Sequence, residues 1–147
     1  MTGLYNRRYF ENELERLETS RRLPLTILVV DMDDLKYIND NYGHKYGDYY
    51  IKGAADILAN SSRDEDIVAR IGGDEFAILL PETGFEAANK ILKRIKNNLK
   101  EYNEENKLVE SLKISLGFAV KTKIEEKMDE IFKKADEMMY NNKKKKK

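Results

Sequence analysis

Two apolar runs, Ile67 to Ile71 and Phe76 to Leu80, flank the tetrapeptide Gly72-Gly73-Asp74-Glu75, and this pattern leaves the chain few folds to choose from. Short apolar runs with β-branched residues have strand length, and a Gly- and Asp-rich link between them signals a hairpin. A third run, Leu25 to Val30, ends in Asp31-Met32-Asp33-Asp34, and a fourth spans Leu112 to Val120, alternating Leu112, Ile114 and Leu116 with polar neighbours. Between the runs the period changes to helical. Asn6 to about Ser20 carries Phe10, Leu14 and Leu17 on one face. A short helical turn leads through Ile38 and breaks between Asn41 and Gly47. Asp48 can then cap a helix with Ile51, Ala54, Ala55 and Leu58 inward. Phe85, Ala88, Leu92, Ile95 and Leu99 form a long stripe, and Met128, Phe132, Ala135 and Met139 another. Helices alternating with strands around one hairpin predict one mixed or antiparallel sheet with helices packed on it.

Composition narrows the chemistry. The 147 residues fit a single domain, 1–147. Lys+Arg and Asp+Glu balance at 27 each, so no global field draws the chain to nucleic acid. There is no Cys and one His, His44, which excludes thiolate chemistry and Cys- or multi-His metal sites. Any metal must sit among oxygen ligands, favouring Mg²⁺ or Mn²⁺. No apolar run reaches the roughly 18 to 20 residues that span a bilayer, and no secretory signal stands at the N-terminus. The expected setting is cytoplasmic.

Two acidic clusters close apolar runs: Asp31 with Asp33, and Asp74 with Glu75. Strand residues i and i+2 share a face, so Asp31 and Asp33 can point the same way. Converging carboxylates repel unless a cation lies between them. Hard cations held by carboxylates and triphosphate oxygens are a common apparatus for nucleotidyl transfer. Gly72 and Gly73 permit unusual dihedrals and let a phosphate approach the main chain. The plain alternative is that these are ordinary turn residues.

Gly72-Gly73-Asp74-Glu75-Phe76 resembles the signature of the GGDEF family, the diguanylate cyclases. Thr2-Gly3-Leu4-Tyr5-Asn6-Arg7-Arg8 is similar to that family's opening motif. Asp31-x-Asp33-x-x-Lys36-x-x-Asn39-Asp40 and Tyr42-Gly43-His44-x-x-Gly47-Asp48 resemble its central motifs. Ala69-Arg70, Ser115-x-Gly117, Ala135-Asp136 and Tyr140 follow in the family's order, so the resemblance covers essentially the whole chain. It implies an α/β (α+β) fold: a single sheet of about five strands, mostly antiparallel, flanked by helices, like the palm of nucleotide cyclases and polymerases. It implies condensation of two GTP into cyclic di-GMP with release of two pyrophosphates, at a site shared across a transient homodimer. It also implies an upstream sensor domain that this chain lacks, its opening motif being cut short at Met1.

The resemblance assigns roles residue by residue. Asp31, Asp74 and the Met32 carbonyl would ligate metal, about two Mg²⁺ (or Mn²⁺) ions per site. Glu75 would bind the second cation or help deprotonate a 3′-hydroxyl. Asp33 is either a further acid of the site or a structural contact. Lys36 would meet the β- and γ-phosphates, with the amides of Asp34 and Leu35 and the backbone of Gly72 and Gly73 nearby. Asn39 and Asp48 would read guanine, because an ionised Asp accepts from the N1–H and N2–H₂ donors that adenine lacks. Asp48 as a helix cap is the competing role. His44 reads as structural, and Ala135 and Tyr140 as core residues of the last helix. Lys143 falls at a phosphate-binding position and Lys147 at a weaker one, the family's Gly-Arg ending being replaced by unbroken Lys. Arg63-x-x-Asp66 with Arg94 matches an inhibitory site for the product, with a surface ion pair as the alternative. A catalytically silent module that binds GTP or cyclic di-GMP, and a plain interaction domain, are the competing functions.

Overall fold

The computed structural model describes residues 3–146. Met1 and Thr2 of the opening motif, and the phosphate role considered for Lys147, lie outside them. Asn6 caps the first helix, α1 (Arg7–Leu17), by accepting the Tyr9 N–H at 2.9 Å. Strand β1 (Leu25–Met32) leads into α2 (Leu35–Tyr42) and α3 (His44–Ser61). The hairpin is β2 (Ile67–Arg70) and β3 (Glu75–Leu80), and α4 (Phe85–Asn106), β4 (Ile114–Lys121) and α5 (Met128–Lys145) complete the chain.

The strands form one antiparallel sheet in the order β2-β3-β1-β4. Among the described residues four strands therefore stand where about five were expected. Beside β2, Tyr5 makes a single parallel bridge to Ala69, giving the edge a partner too short to be a strand. Both faces of the sheet are covered, which explains why β1 reads as a continuous apolar run instead of alternating. Leu28, Val30 and Met32, with Phe76, Ile78, Leu116 and Phe118, pack against α3 and α4. Leu25, Ile27 and Val29, with Ala77 and Leu79, pack against α1 and α5.

Three local expectations change. α3 begins at His44, because Gly43 at φ 92° breaks the chain where a side chain would strain it; Asp48 lies one turn inside the helix and caps nothing. Phe85 opens the α4 stripe but is 65% exposed, touching Phe118 at 5.5 Å between ring centroids. Tyr140 is 57% exposed and not core, since it follows the buried Met139 by about 100° of helical turn; Ala135 is fully buried as expected.

The antiparallel register fixes where the chemistry sits. Asp31 pairs with Glu75 on one side and Ser115 on the other, so the end of β1, the hairpin turn and the start of β4 meet at one sheet end.

Candidate active site

The odd-numbered face of β1 carries Asp31 toward α5, and the cross-strand pairing brings Glu75 to the same face. The Met32 N–H donates to the Asp74 carbonyl at 2.9 Å, which ties the hairpin turn to the β1 end. Ile71 N–H donates to the Glu75 carbonyl at 2.9 Å, and the Arg70 guanidinium props the turn by donating to the carbonyls of Gly72 (3.2 Å) and Gly73 (2.8 Å). Neither Gly72 nor Gly73 adopts a positive φ, so the expected dihedral freedom is not what they supply. A β-carbon at Gly72 would stand 3.1 Å from Glu75 Oε1, whereas Gly73 faces open space. Gly72 makes room for the Glu75 carboxylate and Gly73 leaves the turn open to approach.

Lys143 of α5 and Lys146, which caps the helix end, reach into this acidic centre. Lys143 Nζ donates to Asp31 Oδ2 at 2.7 Å and to the Met32 carbonyl at 3.2 Å. Lys146 Nζ donates to Asp33 Oδ2 at 2.8 Å and to the Ile114 carbonyl, while the Ser115 hydroxyl donates to Asp33 Oδ1 at 2.7 Å. Asp33 thus has both oxygens paired within the protein. Asp31 differs: among the described residues its buried Oδ1 has no hydrogen-bond partner.

The charges tell the same story. Burial pushes the Asp31 carboxyl above its ordinary range, against the Lys143 hydrogen bond, and the neighbouring Asp74 adds to the rise. Burial likewise raises Glu75, with Asp31, Asp136 and Asp74 adding repulsion. Burial works to lower Lys143, but its bond to Asp31 and the charges of Asp31, Asp33 and Asp74 leave it net raised. Among the described residues no three acidic or histidine side chains already converge as a metal cage. The donor set nonetheless suits a hard cation: a buried carboxylate oxygen with no partner, a second carboxylate at Asp74, and the Met32 carbonyl.

A cleft of about 340 Å³ opens beside these groups. Met32, Asp33 and Asp74 line one side, Lys113, Lys143 and Lys146 another, and Asp34, Leu35, Lys36 and Tyr37 a third. Asp34 sits in the left-handed region (φ 62°) and its side chain does not cap α2. The first amides of α2 are therefore left for another acceptor, a ready anion cradle. Lys36, 90% exposed, is held only by Asp40 at 2.8 Å, an i,i+4 pair of small energy.

A family model described as "Diguanylate cyclase, GGDEF domain" matches residues 1–147. The chain belongs to the GGDEF diguanylate cyclase family. It is 33% identical over 147 residues to "Probable diguanylate cyclase DgcT" of Escherichia coli (strain K12), covering 97% of this chain but 32% of that relative. The GGDEF domain of PA1120 (YfiN or TpbB) from Pseudomonas aeruginosa superposes with a TM-score of 0.85 at 30% identity, covering 99% of this chain and 93% of that one. The coiled coil and GGDEF domain of DgcB from Caulobacter crescentus, solved in complex with c-di-GMP, gives a TM-score of 0.88 at 26% identity, covering 98% and 78%.

The remaining GGDEF motif residues fall in three places. Asn39 and Asp48 do not line the cleft; they adjoin across Gly47, whose missing side chain leaves the space that the Asn39 amide fills. Asp48 lines a separate groove with Lys45, Tyr49 and Lys52. His44 is exposed on the first turn of α3 and does not line the cleft. Arg63 and Asp66 pair directly, while Arg94 reaches the end of α3 at Ser61, two residues before Arg63. The Asp66 carboxylate, its side chain fully buried, accepts from the Arg63 guanidinium at 2.9 Å and from its N–H at 2.8 Å. Arg63 also donates to the Pro81 carbonyl and the Thr83 hydroxyl, and Arg94 to the Ser61 carbonyl at 3.1 Å. The Arg63–Asp66 pair is thus partly buried and linked to the loop at Pro81 and Thr83.

Sequence reasoning passed over two lysines of the cleft. Lys146 sits three residues after Lys143 on the same helical face, a spacing that could have been read had the tail not looked like low-complexity lysine. Lys113 precedes β4 with no motif to mark it.

Proposed function

We propose that this chain is an active diguanylate cyclase, joining two GTP molecules into cyclic di-GMP with release of two pyrophosphates. The observation that carries the reading is the convergence of Asp74, the open end of α2 and the lysines 36 and 143 on one cleft, with Asp31 held directly behind it by Lys143 at 2.7 Å. In this reading Asp31, Asp74 and the Met32 carbonyl hold Mg²⁺ or Mn²⁺. When bound, the cations neutralise triphosphate charge and make the α-phosphate a better electrophile.

The chain's own groups supply the rest. The amides at the start of α2 and the Lys36 and Lys143 ammonium groups bind the phosphates and orient the α-phosphate. Asn39 and Asp48 select guanine, and Asp48, free of capping, keeps both oxygens for that task. Glu75, raised by burial and by three acids, stands where it can take the 3′-hydroxyl proton or ligate a second cation. The 3′-oxygen of one GTP then attacks the α-phosphate of the other and pyrophosphate leaves. Each chain resembles a site for one GTP, so two chains must face each other about a twofold axis. Arg63, Asp66 and Arg94 are a site for the product, reached when Arg63 exchanges Thr83 and Pro81 for phosphate and guanine.

Incubation with GTP and Mg²⁺, followed by separation of the nucleotides, tests this. Cyclic di-GMP is expected from the native chain and not from Asp74→Ala, and added product should slow the native chain more than Arg63→Ala. Tight GTP binding without turnover, unchanged by Asp74→Ala, would point to a silent binding module instead.

A further inference from the structure

The two lysines at the end of α5 hold their acids differently. Asp33 is closed on both oxygens, by Lys146 at 2.8 Å and Ser115 at 2.7 Å, and Lys146 also bonds the Ile114 carbonyl. Lys146 therefore fastens the last turn of α5 to the ends of β1 and β4. Lys143 is attached to one oxygen of Asp31 and to the Met32 carbonyl, while Asp31 Oδ1 stays buried and unpaired. Its ammonium thus stands on two atoms suited to ligate a hard cation, in a carboxylate whose second oxygen is unsatisfied.

We propose that Lys143 is an exchangeable counter-ion, holding Asp31 until a divalent cation takes its place and then pairing with the nucleotide's phosphates. The inference rests on the metal-dependent reading above and deepens it. A cation held by the free Asp31 Oδ1 and the Met32 carbonyl would compete with the ammonium for that carbonyl and repel it across the same carboxylate, so a metal displaces it. Because Lys146 anchors the helix end, the Lys143 side chain can swing within the cleft it already lines, without α5 leaving the sheet. A displaced ammonium in a partly buried cleft needs an anion, which a triphosphate supplies. Metal and nucleotide should accordingly bind with positive coupling, each removing the other's cost.

The test titrates the whole chain with Mn²⁺, following free Mn²⁺ by electron paramagnetic resonance, with and without a non-hydrolysable GTP analogue. In Lys143→Gln, Mn²⁺ alone should bind about three- to tenfold more tightly than in the native chain, and the enhancement by nucleotide should shrink. Lys144→Gln removes the same charge from a residue whose ammonium lies over the Tyr140 ring, and should leave Mn²⁺ affinity within about twofold. Lys143→Arg, which keeps the charge, should resemble the native chain, and carries the comparison if the Gln variant does not fold: weaker or equal binding supports the exchange, tighter binding overturns it. Equal or weaker Mn²⁺ binding by a folded Lys143→Gln overturns the proposal while leaving the metal reading intact. So does equal tightening by Lys144→Gln, which would mark a bulk charge effect. No Mn²⁺ binding by any variant, with or without nucleotide, overturns both readings together.

Discussion

At Gly47 helix α3 has no side chain because the Asn39 amide fills that space: a β-carbon would stand 1.7 Å from Asn39 Oδ1. Gly47→Ala therefore sets two effects against each other. Alanine stabilises a helix interior by about 1 kcal/mol over glycine, whereas the clash displaces a flexible amide. Thermal unfolding should stay within about 1 kcal/mol of the native chain while GTP affinity falls roughly tenfold or more by calorimetry; unchanged affinity would remove Asn39 from guanine recognition. Glu75 tests the acidic centre. Its carboxyl is raised, so the folded state disfavours the ionised form, and this contribution to stability is lost as pH rises through the folded pKa. Glu75→Gln should raise the melting temperature of the protein in EDTA at pH 7 by one or two degrees, roughly 0.5 kcal/mol after discounting solvent screening. The gain should vanish below about pH 4, where Glu75 is protonated in both states. A gain that persists there would mean packing, not charge, is responsible. These roles were partly legible beforehand. The signature and the spacing of Asp31, Lys36 and Asn39 drew attention to the sheet end where the cleft opens and to the helix beside it, but not to the reason for Gly72, whose missing side chain clears the Glu75 carboxylate.

Helix α5 is the element on which the site depends most. It lies directly on β4, where a β-carbon at Gly117 would stand 2.1 Å from the Met139 nitrogen and 2.4 Å from the Ala135 oxygen. These are backbone atoms, which cannot turn aside, so Gly117→Ala should cost roughly 2 to 4 kcal/mol in urea unfolding and pull Lys143 and Lys146 from their acids. A loss under about 1 kcal/mol would mean that α5 shifts freely. Apolar periodicity revealed every helix and strand that packs on the core, because burial itself writes that pattern. The start of α3 escaped it. Asp48 looked like a cap, while the break is made by the backbone of Gly43. The end of α5 escaped as well. A run of lysines looks like a solvated tail, yet the helix continues to Lys145 because two of those lysines find carboxylates on the sheet. Partners so distant in sequence leave no local signal.

On the scale of the molecule, the antiparallel register explains why one sheet end gathers the chemistry. β1 is flanked by both β3 and β4, so Asp31 meets Glu75 and Ser115 at once. The family and the mixed α/β class were readable from ordered motifs across the chain. The number of strands was not: about five were expected, and beyond the four strands the described residues add only the isolated Tyr5–Ala69 bridge. Among the described residues no helix is long and apolar enough to cross a membrane. The proposed reading seats one GTP in the cleft of each chain, and the proposed reaction needs two. The most direct measurement is the rate of cyclic di-GMP formation per mole of chain, with saturating GTP and Mg²⁺, from nanomolar to high micromolar protein. The proposed half-site requires that specific rate to climb with concentration as chains pair. A rate per chain that is constant down to nanomolar protein, or no cyclic di-GMP at any concentration, would contradict it.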